Sequence, residues 1–141
     1  MMDALRIPPD CSAKFDRIGE EFLAAIYSAA TDRQPHNVEV LAELGHVYTR
    51  LGRYQDGLEV DHKLVRFAPE DPTIRYNLAC SQALLGLHDE ACSTLETALE
   101  LGYDDLHFLT EDEDLRSLRG YPRFEELLRK IKAPDSGIQD S

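Results

Sequence analysis

The chain has 141 residues, 43% hydrophobic and 30% charged, with 27 acidic against 15 basic side chains and a formal net charge of −12. That length supports one domain and no more, and an acid excess without a Lys/Arg cluster argues against nucleic acid as a partner. No run approaches the roughly 18 apolar residues that span a bilayer, the start MMDALRIPPD lacks a secretory leader's basic and apolar regions, and three cysteines without a C-x-x-C pair suit free thiols in a reducing cytoplasm.

In chain order, residues 1–10 read as a flexible lead-in, because Pro8-Pro9 interrupts helix. Ser12 is a candidate N-cap. From Ala13 to Ala30 the residues Phe15, Ile18, Phe22, Ala25, Ile26 and Ala29 recur at steps of three or four, which predicts a helix that buries this one face and shows water the other. After a loop containing Pro35, Asn37 caps a helix that runs to Arg50, and a second runs from Tyr54 to Phe67. Asp71 caps the next helix with Pro72 at its first position, where no amide donor is needed. Gly86 ends that helix after Leu85, and Asp89 to Leu101 forms its partner. Short loops between these four helices imply antiparallel packing. Beyond Gly102 the sequence predicts a turn or short helix, a helix over Glu111–Leu118 and a last helix over Pro122–Ile131; Ala133 to Ser141 reads as a disordered tail.

The two central helix pairs repeat. Leu41, Leu44, Gly45 and Tyr48 show the spacing L-x-x-L-G-x-x-Y, followed by Gly52, Tyr54, Gly57 and Pro69. An offset of about 34 residues takes Leu44, Gly45, Gly52, Gly57 and Leu64 to Leu78, Ala79, Gly86, Ala91 and Ala98. This pattern resembles the tetratricopeptide family, with Leu41 in place of the usual Trp. Copy two is degenerate at Arg75, Gln82 and Tyr103; running backwards, Leu23, Ala30 and Pro35 suggest the second helix of an earlier copy. Residues Asp112, Asp114, Leu115, Leu118, Arg119, Pro122, Arg123, Phe124, Leu127 and Leu128 are similar to the segment that follows the last repeat in many bacterial members.

The resemblance implies an all-α, antiparallel helix-turn-helix solenoid with capping helices at both ends. One domain would cover residues 11–132: an N-terminal helix at 11–34, repeats at 37–70 and 71–104, and capping helices at 105–132. It also implies a non-catalytic, cytoplasmic protein-interaction scaffold that holds a partner's peptide or helix in a concave groove. The family's groove positions are carried here by Glu39, Ala42, Glu43, His46, Thr49 and Arg50 from copy one, and by Thr73, Tyr76, Asn77 and Cys80, then Ala83 and Leu84, from copy two. Members that clamp a C-terminal carboxylate use Lys and Asn from several repeats, and of these only Asn77 is present. Acid at Glu39 and Glu43 with an apolar floor at Tyr76 instead suits a partner with a basic flank and an apolar anchor. The alternative is that terminal helices cover Tyr76 and Leu84 and leave no groove. A second functional reading is a self-associating unit, a homodimer joined through the repeat ends.

The sequence supports no catalytic residues, cofactor or metal. The five histidines form no H-E-x-x-H pair, His46 and His62 read as packed or solvated imidazoles, and Cys80 and Cys92 as free thiols. The run Glu111 to Asp114 lacks the spaced ligands of a calcium loop; its acids suit a helix N-terminus with Arg116 and Arg119 following. Asp61 and Arg75 both depart from the repeat pattern at the junction between copies and are expected to pair, or Asp61 to meet the hydroxyl of Tyr48 or Tyr76.

Overall fold

The structure, a computed structural model, describes residues 9–132, with side-chain placement from Ala13 onward except at Phe15. The expected lead-in over residues 1–8 and the tail over 133–141 lie outside the described residues. Seven α-helices follow in order: α1 (Pro9–Arg33), α2 (Val38–Arg50), α3 (Tyr54–Phe67), α4 (Pro72–Leu84), α5 (His88–Glu100), α6 (Leu106–Glu111) and α7 (Pro122–Lys132), with a 3₁₀ helix at Glu113–Leu118 between the last two. No strand occurs among the described residues. The fold is all-α, built from antiparallel helix-turn-helix units of the tetratricopeptide type. The chain divides into two compact units at Val60/Asp61, within α3.

The punctuation of the repeat is local chemistry. The Asn37 side chain accepts from the Val40 amide, and Asp71 accepts from Thr73 and Ile74, so α2 and α4 start on side-chain caps. Gly52 and Gly86 end the first helix of each copy at φ of 77° and 78°, a left-handed conformation that costs glycine nothing. The following amides reach back in the same way, Arg53 to the Tyr48 carbonyl at 2.8 Å and Leu87 to that of Gln82 at 2.9 Å, satisfying carbonyls that the helix leaves open.

The first unit packs α1 on α2. Ala24, Val47 and Leu51 are buried together, with Tyr27 and Tyr48 against them. Glu20 of α1 accepts from Arg50 Nε of α2 at 2.9 Å. Two expectations for α1 change. Its helix starts at Pro9, ahead of Ser12, because proline in a first helical turn loses no required amide bond. The face it buries is the Glu20, Ala24, Tyr27 face; the stripe expected to be buried is instead outermost, with Ile18 63%, Phe22 66% and Ile26 46% exposed. Ala24 lets α1 approach α2 closely, and the longer apolar residues lie on the opposite side.

The second unit has its own core: Ala79, Cys80 and Ala83 of α4; Ala91, Cys92, Leu95 and Ala98 of α5; and Leu109, Leu115, Leu118, Phe124 and Leu127 from the C-terminal elements. Small residues on α4 and α5 bring those helices together, and the larger C-terminal side chains fill the remaining space. The predicted helix over Glu111–Leu118 resolves into α6, a break at Asp112 and the 3₁₀ helix, because Asp112 is extended (φ −66°, ψ 121°) and its carboxylate caps the Asp114 amide at 2.9 Å. Arg123 at the start of α7 donates to the Asp89 carbonyl at 3.1 Å, Ser93 Oγ at 2.8 Å and Glu96 Oε1 at 3.1 Å, binding α7 to one side of α5.

Asp61 does not pair with Arg75. Its carboxylate, 6% exposed, accepts a hydrogen bond from Ser81 Oγ on α4, whereas Arg75 donates to the Pro69 carbonyl at 3.2 Å. A serine hydroxyl on the neighbouring helix α4 reaches the acid at less desolvation cost than a guanidinium would. Burial pushes the Asp61 carboxyl up to about 6, partly opposed by the Ser81 bond.

Candidate peptide-binding surface

In the first unit α2 presents Glu39, Glu43 and His46 to solvent, while Ala42 and Thr49 are half-buried. Thr49 Oγ1 is turned back onto its own helix, donating to the Gly45 carbonyl at 3.1 Å. Arg50 is exposed but engaged, since its bond to Glu20 holds the guanidinium above its usual range. Glu39 and Glu43 add two exposed acids to this face.

In the second unit the expected residues separate into two groups. Thr73 is exposed and Asn77 half-buried, and both line a cleft of about 340 Å³ between α4, the turn after α5 and α6. Tyr76 forms its back wall, 2% exposed, stacked on Tyr103 at 4.3 Å between ring centroids with planes 2° apart, and 6.0 Å from the tilted ring of Phe108. Asp104 and Asp105 stand at its rim. Cys80 and Ala83 lie deeper, covered by C-terminal elements: Ser117 Oγ donates to the Ala83 carbonyl at 2.8 Å. On this unit Tyr76, Cys80 and Ala83 face the C-terminal segment, while Leu84 is half-buried and a cleft remains beside Tyr76.

Beneath the cleft lies a polar cluster that sequence spacing did not reveal. Tyr76 donates its hydroxyl to Asp112 Oδ2 at 2.7 Å, and Cys80 Sγ stands 3.7 Å from the same oxygen. Burial, then the neighbouring Asp112, pushes the Cys80 thiol well up, and burial raises the Tyr76 hydroxyl. One ligand atom each from Cys80, Asp112 and Asp114 lie within 4.8 Å of one another. Cation chemistry fits poorly here, because the Asp112 carboxylate already accepts the Tyr76 hydroxyl and the Asp114 amide, and the thiol is held protonated. The signal that could have found Asp112 was its capping position before the 3₁₀ helix. Its link to Tyr76 crosses 36 residues and has no sequence signature. Cys80 and Cys92 are free, buried thiols, and His46 and His62 are exposed.

No family model matches the chain. It is 32% identical over 90 residues to a chloroplastic protein of Arabidopsis thaliana, an alignment that covers 62% of this chain and 27% of that protein. The chain thus spans about a quarter of the length of the curated relative it matches. Two solved structures of MamA share its fold. MamA from MSR-1 superposes with a TM-score of 0.60 at 21% identity, covering 84% of this chain and 67% of that one. MamA from AMB-1 gives 0.61 at 22%, covering 84% and 63%. These likenesses support the tetratricopeptide-type helical repeat already described.

Proposed function

We propose that the chain is a non-catalytic protein-interaction module that holds a segment of a partner protein through the cleft of its second unit. The observation that carries this reading is the cleft's chemistry: aromatic walls from Tyr76, Tyr103 and Phe108, amide and hydroxyl groups from Asn77 and Thr73, and carboxylates at Asp104 and Asp105. Phe108 keeps 48% of its surface exposed, so an apolar or cationic side chain can lie on the ring. The acids at the rim select a Lys or Arg on a short peptide, and the net charge of −12 draws basic segments toward the surface generally. Of the residues expected to bind, Thr73 and Asn77 make direct contact, Tyr76 shapes the wall from behind, and Cys80 supports it. Glu39 and Glu43 add to the attraction of basic partners.

A set of short peptides with a Lys or Arg beside a Leu or Phe, titrated into isotope-labelled protein, tests the proposal. Amide shifts centred on Thr73, Asn77 and Phe108, lost in Asp104→Lys and in Phe108→Ala, are the expected result. Shifts that spread without a centre, or that survive both substitutions, overturn it.

A further inference from the structure

The outer face of α1 carries information of a different kind. Ile18, Phe22 and Ile26 are 63%, 66% and 46% exposed, and Ala25 and Ala29 between them are exposed as well. The repeat supplies an internal control. Moving about 34 residues along, the positions of Phe22, Ala25 and Ala29 become Asp56, Glu59 and Lys63 on α3, then Glu90, Ser93 and Thr97 on α5. At these three positions the later helices present polar groups where α1 is apolar, and Ile26, whose counterpart Val60 is buried, is itself 46% exposed. A helix apolar on two opposite faces is one that is covered on both, and α2 covers only the Ala24 and Tyr27 side.

The charges that flank the stripe identify the occupant. Lys14 and Asp32 lie five turns apart on the same edge of α1, at 3.6 residues per turn, and the midpoint between them falls beside Phe22. Two copies of α1 laid antiparallel about that midpoint set each Lys14 against the other copy's Asp32, bring the two Phe22 side chains together at the dyad, and place Gly19 near Ile26. A Cβ built on Gly19 would meet nothing within 4 Å, so its surface is open to a close neighbour. A parallel twofold pair would instead turn the Lys14 and Asp32 edge of each copy away from that of the other. We infer that the occupant of this face is a second copy of the chain, joined by antiparallel α1 helices in a closed, twofold dimer, as isologous interfaces require. The stripe is distinct from the cleft of the second unit, so dimerisation and peptide binding are separable.

Sedimentation equilibrium of the full chain over a hundredfold concentration range tests this. Wild type is expected to follow a monomer–dimer equilibrium, and Phe22→Asp, at an exposed position that leaves the circular dichroism spectrum unchanged, to remain monomeric. Lys14→Asp should weaken the dimer by about tenfold, and Lys14→Asp with Asp32→Lys should restore it; Asp104→Lys in the cleft should leave it unchanged. A wild type that stays monomeric throughout, a dimer that survives Phe22→Asp, or a charge swap that fails to restore association overturns the inference and gives the face to a different protein or to a lipid surface.

Discussion

Asp61 is a carboxylic acid buried with a single serine for company, and its raised pKa makes it a liability at neutral pH. The sign follows from linkage: with a folded pKa of about 6 against an ordinary 3.8, the native state binds the extra proton in that window, so stability falls as pH rises through it and stays reduced above it. Asp61→Asn keeps the shape and removes the charge. It should gain about 2 to 3 kcal/mol over wild type at pH 7.5 and little at pH 4, measured by urea denaturation at both. Gly57 offers a contrasting case on the same helix. A Cβ there would lie 3.6 Å from Thr49 Oγ1 and 3.8 Å from the Gly45 carbonyl, ordinary contact distances, and copy two has Ala91 at the equivalent position. Gly57→Ala should therefore stabilise by about 0.5 to 1 kcal/mol through helix propensity. Gly57→Leu should destabilise, because the space ends at one carbon; thermal melts of both variants decide the matter.

The elements divide by how their ends and faces are specified. The bounds of α2 to α5 were legible to within a residue because Asn37, Gly52, Asp71 and Gly86 act on backbone groups immediately beside them. The face buried by α1 differs from the expected one because periodicity reports that a helix has an apolar side without saying which neighbour covers it; the packed side is marked by Ala24 and Tyr27, with the charged Glu20 in place of a further apolar residue. Of the residues that line the cleft, Thr73 and Asn77 stand at groove positions of the repeat, whereas Tyr103 and Phe108 come from a segment where the repeat has ended and carry no such position. The Arg123 and Phe124 pair belongs to the segment that resembles a family ending, and the structure gives it a physical role. Phe124, 2% exposed, fills the core of the second unit. Phe124→Ala should cost about 3 to 5 kcal/mol. Arg123→Ala should cost about 1 to 2 kcal/mol, because it breaks several bonds to α5 that are partly open to water. Chemical denaturation with amide exchange should show α7 opening first in both.

At the scale of the whole molecule, 27 acids against 15 bases set a field that local ion pairs only partly offset. Pairs such as Arg53 with Asp56 at 2.8 Å and Arg116 with Glu113 at 2.9 Å are exposed and contribute little individually. Raising the salt from low to physiological strength should consequently increase the melting temperature by roughly 2 to 4 °C, as screening relieves net repulsion more than it weakens the pairs. A melting temperature that falls with salt would show the pairs to dominate.

The same-register turns have a consequence for lengthening the chain. Residues 38–71 begin just after one helix cap and end on its equivalent, so a second copy spliced in at that point would reproduce every cap and every glycine turn. It would still fail at the position of Asp61. The original Asp61 would then face the duplicate of Val47 instead of Ser81, leaving a buried acid beside a methyl group with no donor to meet it. The cassette becomes extensible only when Val47 in the duplicate is changed to Ser, or the original Asp61 to the Tyr that occupies the matching place at Tyr27; the two junctions speak different chemical dialects, and a repeat can be copied only together with the reply it expects.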